Sequence, residues 1–144
     1  MINPQGLLNK AHEAQKNAYS PYSNFQVGAA LQTKDGSIYT GCNIENASYG
    51  AAICAERVAF VKAVSDGHKN FKAIAIAGSH NKHTYPCGIC RQFMAEFGLN
   101  LVVITTDMHT IAQQVLSDLL PKAFTSFQPN QDNLVKMNSC AQSR

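Results

Sequence analysis

Three cysteines in two separate segments limit the fold of this chain more than any other feature of it. Cys54 opens the segment Cys54-Ala55-Glu56, and 33 residues later the chain reads Pro86-Cys87-Gly88-Ile89-Cys90. Cys87 and Cys90 are three apart, so on the first turn of a helix their sulfurs share a face and can grip one ion. A sulfur from Cys54 can join them only if the fold brings two helix starts together. Three protein ligands leave one position of a tetrahedral zinc open to water, the catalytic arrangement, whereas four ligands make a structural site. Helix starts also suit thiolates, because the unpaired N–H groups there favour negative charge.

Five cysteines is an odd number, and a Cys-x-x-Cys pair in a reducing cytosol argues for metal or redox chemistry over a disulfide framework. Two other readings of the pair stay open at this point. A redox couple gives no role to Cys54 or Glu56. A structural zinc site needs a fourth ligand, for which Cys42, Cys140 and His83 are the candidates. The five histidines, His12, His68, His80, His83 and His109, show no ligand spacing among themselves and read as ordinary surface residues.

At 144 residues, 45% hydrophobic and 15% charged, the chain fits one domain with a core large enough to need no disulfide staples. A net charge of +3 without a basic run longer than two residues argues against nucleic-acid binding by charge. The longest apolar stretches, such as Ala73 to Ala77, are strand-sized, far short of the roughly 20 residues that cross a bilayer. Met1 to Lys10 carries Asn3, Pro4, Gln5 and Asn9 where a secretory signal would be apolar, so the expected location is cytoplasmic, with no membrane contact.

Asn3 and Pro4 mark a helix start, and Leu7, Leu8, Ala11 and Ala14 or Ala18 give that helix one apolar face to about Ala18. Strand-like runs at Val27 to Thr33 and Ile38 to Cys42 flank the turn Lys34-Asp35-Gly36-Ser37. A polar loop leads to a helix from Cys54 to about Gly67, then a strand from Phe71 to Ala77 and a helix from Pro86 to about Phe97. Leu101 to Thr105 reads as a buried strand, and Ile111 to Leu120 as a last helix closed by Pro121, with a weak fifth strand before it. This order predicts a three-layer α/β/α sandwich around a mixed, roughly five-stranded central sheet. The domain is expected to span 1–127, with 128–144 a polar tail.

Glu56 is the candidate for proton transfer. Residues two apart in a helix point roughly 200° apart, so Cys54 and Glu56 can serve one site only if Cys54 lies at or before the first turn. Three thiolates on Zn²⁺ leave a net negative site, which calls for a nearby cation. Arg57 and Arg91 are available, and Arg57 is favoured as a donor to sulfur.

These letters resemble the zinc-dependent nucleoside deaminases, whose signature joins a His or Cys, one residue and a non-ligand Glu with Pro-Cys-x-x-Cys. More narrowly they resemble the small, homotetrameric cytidine deaminases, over about Tyr19 to Phe127. The likeness rests further on Ala18-Tyr19-Ser20-Pro21-Tyr22-Ser23-Asn24-Phe25-Gln26-Val27-Gly28-Ala29-Ala30, on Gly41-Cys42-Asn43-Ile44-Glu45-Asn46-Ala47 and on Leu119-Leu120-Pro121.

The resemblance implies hydrolysis of cytidine and deoxycytidine to uridine and deoxyuridine, a pyrimidine-salvage reaction run by a zinc-activated water with Glu56 as proton shuttle. One Zn²⁺ per chain would sit on Cys54, Cys87 and Cys90. Asn43 and Glu45 would hold the ribose hydroxyls, Phe25 would lie beside the base, and the Ala55 N–H would face the pyrimidine carbonyl. Phe124, or Phe127 in its stead, would stack on the base in a neighbouring subunit, making a homotetramer with composite active sites. Two alternatives stand beside this one: a deaminase of a modified aminopyrimidine nucleoside, and a non-catalytic module that binds zinc or nucleosides.

Overall fold

The computed structural model describes residues 1–125. The tail 128–144, Cys140 and Phe127 therefore lie outside the described residues. Helix α1, Pro4–Gln15, starts where Asn3 Oδ1 accepts the Gly6 N–H at 3.0 Å, with Pro4 in the first turn. Strands β1, Val27–Thr33, and β2, Ile38–Cys42, form the expected hairpin, with Gly36 at φ 98° in its turn. Then follow α2, Ala55–Ser65, β3, Phe71–Gly78, α3, Gly88–Ala95, and β4, Val102–Thr106.

The chain departs from expectation at residues 111–120. Ile111–Val115 is strand β5, and only Leu116–Leu119 is helical, as α4. β4 lies parallel to β3 and would otherwise end the sheet with bare N–H and C=O groups. β5 covers that edge antiparallel, from Val102 opposite Val115 to Thr106 opposite Ile111. A turn made by Asp107 sets up the pairing: its Oδ1 accepts the N–H groups of His109 at 2.9 Å and Thr110 at 2.7 Å. α1 also stops at Gln15 rather than Ala18, because Tyr19 is drawn alongside the 43–45 segment, its N–H donating to the Asn43 carbonyl at 3.0 Å.

The five-stranded sheet runs β2-β1-β3-β4-β5 and is mixed. Alternation along the strands sends Ala29, Leu31, Ile74, Ile76 and Val103 to the face covered by α2 and α3. Ala30, Ala73, Ala75, Ala77 and Ile104 face Leu7, Leu8 and Ala11 of α1. This is the three-layer α/β/α architecture. No helix among the described residues is long and apolar enough to cross a membrane.

One close approach places the site. A Cβ on Gly41 would lie 2.4 Å from the Ala55 carbonyl oxygen and 2.6 Å from the Ala59 N, so only glycine in β2 lets the first turn of α2 sit flush on the sheet. That seats Cys54 at the sheet margin, opposite the start of α3.

Candidate functional site

Cys54 and Cys87 are the residues immediately before α2 and α3, both in extended backbone, so two helix N-termini point their free N–H groups at one place. Cys54 thus sits at the helix entry that the 200° argument requires. The sulfurs of Cys54, Cys87 and Cys90 lie within 4.8 Å of one another, and Cys54 Sγ is 3.7 Å from Cys87 Sγ. Two sulfurs on a tetrahedral zinc with bonds of about 2.3 Å stand about 3.8 Å apart, so the triad fits that ion. The Cys90 N–H also points at Cys87 Sγ, at 3.5 Å.

The electrostatics favour the same occupant. Contact with Cys90, and after it the Arg57 guanidinium, brings the Cys54 thiol down to about 5. The charge on Cys54, together with burial, then pushes Cys90 up. Sulfurs this close cannot all ionise by themselves, whereas a divalent cation among them removes the conflict. Arg57 Nη2 donates to Cys54 Sγ at 3.7 Å. Burial opposes the Arg57 charge, yet its hydrogen bonds to the Cys54 and Cys90 sulfurs raise its pKa above the ordinary value. Arg91 turns elsewhere, its Nε donating to the Pro86 carbonyl at 2.8 Å and its Nη1 to the Leu119 carbonyl at 2.9 Å.

Glu56, in the first turn of α2, is only 4% exposed. Burial pushes its carboxyl up to about 7, and the Cys54 charge adds to that against a hydrogen bond from its own backbone N–H. A carboxyl poised near neutrality beside this sulfur cluster can both take and return a proton.

Asn43 and Glu45 organise the 22–27 segment. Asn43 Oδ1 accepts the Val27 N–H and its Nδ2 donates to the Phe25 carbonyl, each at 2.8 Å. Glu45 Oε1 accepts the N–H groups of Tyr22 at 2.9 Å and Ser23 at 3.1 Å, while Oε2 accepts the Ser23 hydroxyl at 2.6 Å. These bonds hold the Glu45 carboxyl below its usual range, the Ser23 hydroxyl having the largest effect. One N–H of Asn43 and one acceptor position on Glu45 Oε2 stay free of these bonds. Both residues line a cavity of about 300 Å³ together with Tyr49, Cys54, Arg57 and Ile89.

Residues 1–106 match the family model of the cytidine and deoxycytidylate deaminase zinc-binding region. The chain belongs to that family. It is 48% identical over 126 residues to a cytidine deaminase of Sporosarcina psychrophila, covering 86% of this chain and 93% of that one. A cytidine deaminase of Halalkalibacterium halodurans is 47% identical over 127 residues, 87% of this chain and 96% of its own. The crystal structure of cytidine deaminase from Burkholderia pseudomallei superposes with a TM-score of 0.81 at 45% identity, covering 85% of this chain and all of that one. The zinc of this deaminase family has its place here on Cys54, Cys87 and Cys90.

Residues that carry no motif brace the segments around these side chains. Ser23 braces Glu45 through both its N–H and its hydroxyl. His83 is not a solvated surface histidine: its ring nitrogens bond Thr105 Oγ1 at 2.9 Å and Thr110 Oγ1 at 3.2 Å, anchoring the loop that leads to Cys87. His80 lies over the Phe25 ring. Each of these contacts joins segments far apart in the chain, so no spacing in the sequence announces it. Phe25 packs at the margin of the core, and Phe124 is 80% exposed.

Proposed function

We propose that this protein hydrolyses cytidine and deoxycytidine to uridine and deoxyuridine, with ammonia as the second product, as a cytoplasmic enzyme of pyrimidine salvage. The observation that carries this reading is a buried Glu56 carboxyl next to a three-sulfur cluster that fits zinc. When bound there, zinc supplies a Lewis acid that makes water nucleophilic near neutral pH. Glu56 takes one proton of the attacking water and delivers it to ring atom N3, then passes the proton of the new C4 hydroxyl to the amine, so that a C4–O bond forms, the C4–N bond breaks and ammonia leaves. The Ala55 N–H, in the uncapped first turn of α2, donates to the pyrimidine carbonyl. The spare N–H of Asn43 and the spare acceptor of Glu45 hold the sugar hydroxyls, and Phe25 sits beside the base. The catalytic unit is 1–127, with 128–144 a polar tail.

Loss of absorbance with cytidine, deoxycytidine, cytosine and adenosine in parallel tests the reading. Cytidine and deoxycytidine should react, and free cytosine should be slower by about 10⁴- to 10⁵-fold, because a site built around sugar hydrogen bonds leaves them unpaired without the sugar. An inert cytidine, with zinc bound, would refute the assignment.

The assembly is a homotetramer with composite sites. Phe124 supports this: its carbonyl accepts from Gln92 Nε2 at 2.8 Å, so its backbone is docked on α3 while its ring is left exposed by the described residues. Variants that dissociate the protein should lose deamination while keeping zinc. Active monomers, identified by light scattering, would contradict the composite site.

A further inference from the structure

Phe25 belongs to a stretch without regular structure, yet every part of it is fixed. Its N–H donates to Ser23 Oγ at 3.0 Å and its carbonyl accepts from Asn43 Nδ2 at 2.8 Å. The next residue, Gln26, donates its N–H to Ser79 Oγ at 3.1 Å. The ring itself meets the C-terminal end of β3. A Cβ on Gly78 would lie 2.9 Å from Phe25 Cζ and 2.1 Å from Thr84 Oγ1, so a glycine there is what lets the ring and the 79–87 loop share one small space. Over the ring lies the His80 imidazole, with centroids 4.7 Å apart and planes within 19° of parallel. His80 is exposed, so this stack does not serve to fill the core. Farther along, the same loop is fastened by His83 and ends in Cys87. The loop that delivers a metal ligand therefore also delivers the plate that holds Phe25.

We propose that His80 is a positioning residue for substrate affinity, stacking on Phe25 to hold that ring in the one orientation that meets the pyrimidine. The proposal rests on the reading of Phe25 as a base contact. A phenylalanine without the plate turns more freely about its side-chain bonds, and the base must then order it on binding. The cost falls on binding and leaves the chemical step, run by Glu56, as it is.

The test is a double-mutant cycle on the zinc-loaded enzyme. His80→Ala should raise KM for cytidine about 2- to 10-fold, the size of a stacked aromatic pair, with kcat, zinc content and melting temperature unchanged. His80→Phe, which restores a flat ring, should return KM toward the wild-type value. In a Phe25→Ala background, His80→Ala should add nothing. A Phe25→Ala enzyme with wild-type KM would overturn the reading of Phe25 and the proposal with it. A raised KM in Phe25→Ala beside a wild-type KM in His80→Ala, or additive effects in the double variant, would overturn the role of His80 alone. So would loss of zinc or a lowered kcat in His80→Ala, since either would make His80 a brace for the Cys87 loop.

Discussion

Glu56→Gln lowers turnover of cytidine by at least about 10²- to 10⁴-fold, the range that follows loss of a general acid–base, while zinc and fold remain. The amide keeps the volume and the hydrogen-bonding reach of the carboxyl, so a side chain that is 4% exposed is replaced without a cavity. What disappears is the ability to accept a proton and hand it on. The substitution does not threaten stability either. Folding resists ionisation of this carboxyl, whose pKa rises from 4.5 to about 7, so it weakens the metal-free fold as pH climbs between those values, and the neutral amide removes that contribution. Single-turnover deamination beside metal analysis and thermal melting reads all three properties. Unchanged turnover in a zinc-loaded Glu56→Gln enzyme would remove Glu56 from the mechanism.

Cys90→Ala should abolish zinc binding and activity together and lower the melting temperature. Cys90 is fully buried, and its sulfur shares the cluster with those of Cys54 and Cys87. Two remaining sulfurs, one on the exposed Cys87, do not make a tight site. A metal present at 100 to 1,000 times its Kd stabilises a folded chain by about 3–4 kcal/mol. For a chain of this size that is roughly 10 °C in Tm. A chelator added to the wild type should shift its melt by a similar amount and leave Cys90→Ala where it was. Zinc near one ion per chain in the purified variant would mean that the ligand set is wrong.

Much of the site is legible from the letters because its chemistry is local. Cys87 and Cys90 share a helix face by spacing alone. The pair Cys54 and Glu56 forces the cysteine to the helix entry, and the structure has α2 begin at Ala55. The hairpin around Gly36 and the Asn3 cap follow from residue preferences that act within four positions. Residues 111–120 show the opposite case. Ile111-Ala112-Gln113-Gln114-Val115 has a pattern short enough to suit a helix or an edge strand, and β4's unpaired edge, which no window of sequence displays, decides for the strand.

Sequence alone determines which atoms can do the chemistry here: three thiols, one carboxylate and an arginine, each tied to a helix start by its neighbours in the chain. Tertiary structure alone decides that the two helix starts meet, because Gly41 admits α2 onto the sheet and Cys54 comes within 3.7 Å of Cys87. It alone decides that Asn43 and Glu45 spend most of their bonds on the 22–27 segment, and that His80 covers Phe25. The reason is physical. Capping, helix periodicity and turn chemistry act over a few residues, whereas a stack or hydrogen bond between segments up to 55 positions apart depends on the packing of the whole sheet, to which single residues carry no marker.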